Sequence, residues 1–164
     1  MNNSTKTYIK RLVFMIFALV WMIIVFRFSN EPADTSQNTS LNTTEILVET
    51  IAGNSINIEQ KEQFTQELDP IVRKLAHFAL YTLGGVLILN FINTYNIYLK
   101  KKIIYSIAVG AIYASTDEIH QLFVEGRGGL VTDVLLDSFG VATGVCIFLC
   151  IMKIIQMIRK SSIK

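Results

Sequence analysis

Residues 115–137 read STDEIHQLFVEGRGGLVTDVLLD and gather Asp117, Glu118, His120, Gln121, Arg127, Asp133 and Asp137 into one short stretch. Carboxylates beside histidine are the side chains that move protons or hold a divalent metal. Asp133 and Asp137 stand four residues apart and so share a helical face. Upstream, Arg73, His77 and Tyr81 repeat that spacing. These groups sit among segments apolar enough to enter a bilayer, where each ionisable side chain costs roughly 2.5–3.5 kcal/mol at a helix centre. A chain that concentrates them must pair them or use them.

If they are used, Asp117, His77, Asp137 and Glu118 are the candidates for acid/base chemistry. Asp133, Asp137 and Asp117 are the candidate ligands for a divalent metal. Arg73, Lys74, His120, Gln121, Arg127 and Tyr81 are the candidates for gripping a ligand. Arg127 lies in Glu125-Gly126-Arg127-Gly128-Gly129, where glycines let backbone approach a phosphate and a guanidinium can grip it with two N–H groups. If they are paired, the same aspartates neutralise Arg73, Lys74 and Arg127, and His77 hydrogen-bonds across helices. Carboxylates and histidines outnumber the cations available to them, which favours use.

The elements that must position these residues are membrane helices. The chain has 164 residues, 51% hydrophobic and only 17% charged, against about 25% charged in soluble domains. The expected fold is all-α: a polytopic membrane protein, an antiparallel bundle of four transmembrane helices, with both termini cytoplasmic. The spans expected are 12–28, 70–92, 103–123 and 130–152, each near the ~20 residues that a bilayer requires. The first follows Lys10 and Arg11 as a signal peptide would, but it is long for one and has no small-residue cleavage site, so it reads as a retained anchor. Asp69 and Pro70 read as the cap and first residue of the second span.

Between the first two spans, residues 29–69 carry eight acidic residues against Lys61 alone. Pro32 and the Ser/Thr/Asn-rich stretch 35–44 read as loop. A short amphipathic helix is expected near Leu41–Ile51, announced by Asn42 and Glu45, and another where Phe64, Leu68 and Val72 repeat. All 13 acids lie from Glu31 to Asp137, while basic clusters occupy residues 1–11, 93–102 and 153–164. Lys/Arg excess marks cytoplasmic segments. The acidic loop 29–69 and the turn 124–129 are therefore expected outside. The clusters flank spans, so they read as topology signals and not as a nucleic-acid surface. Cys146 and Cys150, one turn apart in an apolar run, give no disulfide framework.

With this topology His77, Asp117 and Asp137 each fall on the order of 10 Å below the outer boundary, from a rise of 1.5 Å per residue. Gly140 and Gly144 form a GxxxG that lets helices approach closely, and Gly84-Gly85 offers the same.

Over residues 68–144 the chain resembles the VanZ-like family. The resemblance rests on Arg73-Lys74-Leu75-Ala76-His77-Phe78, Tyr81, Gly84, Asp117-Glu118-Ile119-His120-Gln121-Leu122-Phe123, Gly126-Arg127, Asp133-Val134-Leu135-Leu136-Asp137, Gly140 and Gly144. It implies a multi-pass protein of the bacterial plasma membrane, associated in the family's namesake with teicoplanin resistance, and it supplies no mechanism. The function expected is action on, or binding of, an anionic lipid or cell-wall precursor through an outer-face polar pocket. The alternatives are a non-catalytic envelope accessory whose polar cluster is an ion network, and a proton-coupled transporter. Interrupted helices and inverted repeats, the usual transporter cues, are not visible.

Overall fold

A computed structural model of the chain describes residues 2–53 and 56–161. Five helices follow one another: α1 (Asn3–Ser29), α2 (Ala33–Ala52), α3 (Ile58–Ile92), α4 (Leu99–Gln121) and α5 (Val131–Ser161). The described residues hold no strand. By length and composition α1, α3 and α5 are able to cross a membrane, with mean hydropathies of 2.5, 1.8 and 2.2 over their most apolar stretches. Their outward residues, such as Leu12, Phe17, Leu83, Leu135 and Ile147, are exposed apolar side chains that lipid covers. α4 has 23 residues, long enough at ~1.5 Å each. It falls short of the same apolar profile because Lys100, Lys101 and Lys102 open it and Asp117, Glu118 and His120 close its final turns.

Four boundaries differ from the sequence expectation. The second span does not begin at Pro70. Its helix starts twelve residues earlier at Ile58, with Pro70 in its interior and a reciprocal cap between Asn57 and Gln60. Asp69 is therefore no cap. It is buried and accepts from Ser40 and Thr44 of α2, so packing against a neighbour offsets the hydrogen bond that proline removes. The stretch 35–44 is helix, not loop. Thr39, Thr43 and Thr50 donate to the carbonyls four residues back, at 3.1, 2.9 and 2.7 Å. Hydroxyls that compete with a helix elsewhere are satisfied within this one. The helices expected near Leu41 and Phe64 are thus parts of α2 and α3. At the far end α5 continues through Ser161, past the expected limit at 152, and α1 begins at Asn3, before 12.

α2 and α3 make an antiparallel hairpin, since Ser40 and Thr44 meet Asp69 while Glu45 and Glu49 meet Lys61. α3 and α5 pack with almost no gap. A methyl group at Gly140 would lie 2.8 Å from the Phe78 carbonyl oxygen and 3.2 Å from Tyr81 Cβ, and at Gly144 it would collide with the Thr82 carbonyl. The GxxxG thus faces α3. From α3, Gly84 makes room for the Trp21 ring of α1, and Gly85 meets the Val141 backbone. The core is Trp21, Val25, Tyr81, Ile88, Ala114 and Val141.

Candidate functional site

At the end of the bundle nearest the hairpin, α3, α4 and α5 deliver His77, Asp117 and Asp137 to one place. One ligand-type atom from each lies within 4.8 Å of the others. Asp137 is fully buried and Asp117 is 3% exposed. His77 Nδ1 stands 3.7 Å from Asp137 Oδ2, and its side chain keeps 26% exposure. Among the described residues, Asp117 Oδ1, both Asp137 carboxylate oxygens and Tyr81 Oη are buried without a hydrogen-bond partner. Buried polar atoms are satisfied in the great majority of folded proteins, so this concentration marks the site.

The α3–α5 glycines explain the convergence. Gly140 lies three residues after Asp137 and rests against Phe78 and Tyr81, so the close approach there draws Asp137 onto the His77 turn. Beneath the trio lies an aromatic floor. Trp21 Nε1 donates to the Leu80 carbonyl at 2.9 Å, its ring meets Tyr81 edge-on at 5.6 Å and Tyr113 at 5.2 Å, and Tyr113 Oη donates to the Met22 carbonyl at 2.5 Å.

Above the trio opens a cavity of roughly 430 Å³, with Arg73, Lys74, Arg127, Glu118 and Gln121 in its wall. The cations are only partly committed. Lys74 Nζ reaches Asp133 at 3.9 Å, and Arg73 reaches Asp69 at 3.4 Å while its Nε is buried and unpartnered. Arg127 donates to the Phe28 carbonyl at 3.1 Å. Burial, and then the like charge of Arg73, push the Arg127 guanidinium below its ordinary pKa. An anion between the two arginines would relieve both.

The structure separates the residues singled out in the sequence. His77, Asp117 and Asp137 form the trio, with Tyr81 in the floor below. Arg73, Lys74, Arg127 and Gln121 reach the cavity. Asp133 lines it too, but beside Lys74 at 3.9 Å and outside the trio. Glu118 is already engaged, accepting from the Leu130 N–H at 2.8 Å and from Gln121 Nε2 at 3.3 Å, so it braces the start of α5. His120 is not in the cavity wall: its ring stacks on Phe26 at 4.6 Å and its Nε2 meets Asn30 Oδ1 at 3.1 Å.

Sequence reasoning missed Ala33, Gln37 and Asp69, which also line the cavity. They come from the hairpin, whose first turn is tied down by the Ala33 N–H donating to the Glu125 carbonyl at 3.1 Å. An acid one residue before a proline was the available signal, and it was read as a cap.

The VanZ/LLP1 family profile matches residues 14–154, most of the chain's 164 residues. The chain belongs to the VanZ/LLP1 family. No curated protein and no solved structure matches it. The VanZ/LLP1 match runs from the middle of α1 to within the last two turns of α5, so the trio and the cavity wall lie inside the family region.

Proposed function

We propose that this VanZ/LLP1 protein binds, and acts through, the head group of an anionic lipid or cell-wall precursor at the outer face of a bacterial plasma membrane. The observation that carries this reading is the cavity itself: arginines and a lysine around its wall, incompletely paired, above Asp117 and Asp137, three of whose four carboxylate oxygens accept no hydrogen bond. A phosphate satisfies guanidinium groups in two-point fashion, and a site at helix ends lets a head group enter while its acyl chains stay in lipid.

In this reading α4 is the fourth span. Its apolar stretch runs antiparallel beside α5, and its ionisable end is tolerated because it faces the cavity. Both termini lie inside, which the basic clusters around residues 6–11, 100–102 and 153–160 support. The acidic α2–α3 hairpin then lies outside, above the cavity mouth. A protein that holds a wall-precursor lipid at that face changes how a glycopeptide such as teicoplanin meets its target, and the proposal extends to resistance by that route. The accessory reading, in which the cluster is an ion network, requires satisfied charges; three of the four carboxylate oxygens of Asp117 and Asp137 accept no hydrogen bond, and among the described residues only His77 stands at ion-pair distance.

The test is mass spectrometry of lipids that purify with the full-length protein in mild detergent. Wild type should carry an anionic phospholipid or wall-precursor lipid above its abundance in the membrane, and Arg73→Ala/Arg127→Ala should lose it. Lipids in bulk proportion, identical in both proteins, would reject the reading. Impermeant labelling of cysteines placed at Glu49 and Lys101 tests the orientation: Glu49→Cys should react in intact cells and Lys101→Cys should not.

A further inference from the structure

We propose that His77, Asp117 and Asp137 form the binding site of a divalent transition-metal cation. This goes beyond the head-group reading and stands without it. The donor set is one imidazole nitrogen and two carboxylates, drawn from α3, α4 and α5. An imidazole suits zinc, copper, iron or nickel, whereas magnesium and calcium prefer oxygen alone; manganese, which also favours oxygen, is accommodated by the two carboxylates.

The geometry is near what such an ion requires. Metal–ligand bonds of about 2.0–2.2 Å set neighbouring donors roughly 3.3–3.6 Å apart in a tetrahedron. His77 Nδ1 and Asp137 Oδ2 are already 3.7 Å apart, and the three donors lie within 4.8 Å of one another. Small side-chain rotations close the remainder.

The charge balance argues independently. Asp137 is wholly buried and neither of its oxygens accepts a hydrogen bond, while Asp117, 3% exposed, leaves Oδ1 without a partner and accepts on Oδ2 from Gln121 Nε2 at 3.5 Å. Among the described residues no lysine or arginine forms an ion pair with either: Lys74 meets Asp133 and Arg73 meets Asp69. A histidine alone cannot neutralise two carboxylates, and two buried anions side by side repel. A dication supplies the missing charge and takes the vacant lone pairs. His77, the one partly exposed member, lies in the cavity wall, which gives an ion a way in. Three protein ligands leave further coordination positions open toward that cavity, as in metal sites that receive a substrate or water.

The experiment strips the detergent-purified full-length protein with a chelator and titrates it with Zn²⁺ and with Mn²⁺, following heat and bound metal per chain. Co²⁺ is added separately to read visible absorption. Wild type should bind one ion per chain. Asp117→Asn and Asp137→Asn should weaken binding by more than the roughly 10–100-fold that loss of an outer partner costs, and His120→Ala should bind as wild type does. Helical circular dichroism identifies variants that fold. Folded wild type without saturable binding would overturn the proposal, as would undiminished binding in both Asn variants. A protein that carries head groups but no metal ends this inference and leaves the head-group reading standing; metal without head groups does the reverse.

Discussion

Asp69 and Asp137 are both buried acids on helices that enter the same cavity, yet their surroundings differ. Asp69 accepts from Ser40 and Thr44, which ties the hairpin together, and pairs with Arg73 one turn along its own helix. Asp137 has His77 at ion-pair distance, Asp117 in the same group and no hydrogen bond. The first arrangement is what a stabilising acid looks like. The second is what a site looks like when its charge is held for a ligand, since a buried charge without partners costs the fold free energy. Burial alone does not separate structure from function; satisfaction does.

The contrast can be broken most severely by removing the geometry behind it. Gly144→Val forces a side chain into the Thr82 carbonyl. It should cost at least the ~3 kcal/mol at the upper end of overpacking effects, seen as loss of folded protein in detergent. Next in size, Asp69→Ala strands the hydroxyls of Ser40 and Thr44 and should destabilise by about 1–3 kcal/mol, the usual penalty for orphaned buried partners, read from thermal unfolding. Asp137→Asn sharpens the comparison by failing to follow it: in chelator its unfolding temperature should match or exceed that of wild type. Wild type alone should then gain from metal, by about 2.7 kcal/mol when free ion is a hundredfold above the dissociation constant. The smallest effect belongs to Lys61, held above its ordinary 10.5 by the carboxylates of Glu45 and Glu49. Its folded pKa is raised, so its contribution is present below pH 10.5 and fades as pH climbs through the raised value. Lys61→Ala should lower stability slightly, and less at high salt, because the pair faces solvent.

Three long apolar helices, and the shared depth of His77, Asp117 and Asp137, were legible in the sequence. That the three side chains converge was not, because spacing along a helix does not say which neighbour a face meets. Apolar runs fix helix length, and counting residues from each expected boundary puts the three at one depth. What periodicity does not carry is depth to within a turn. Asp133 and Asp137 share a face, but one turn separates a residue beside Lys74 from one against His77. The first turns of α2 were hidden because Ser, Thr and Asn favour loops until the hydroxyls find acceptors, here the helix's own carbonyls and Asp69 of α3. Pro70 misled in the same way, since a proline inside a helix and one at its start leave the same mark. Contacts beyond the neighbouring turns were not legible: Glu118 lines the cavity and also accepts from the Leu130 N–H, and His120 meets Phe26 and Asn30.

The central claim is that the trio is left unsatisfied by the protein itself, and the thermal unfolding of metal-free Asp137→Asn beside wild type and Asp69→Ala tests it most directly. The account predicts an unfolding temperature equal to or above that of wild type, with Asp69→Ala clearly below. A fall in Asp137→Asn as large as that of Asp69→Ala would show that Asp137 already holds the fold together, and would contradict it.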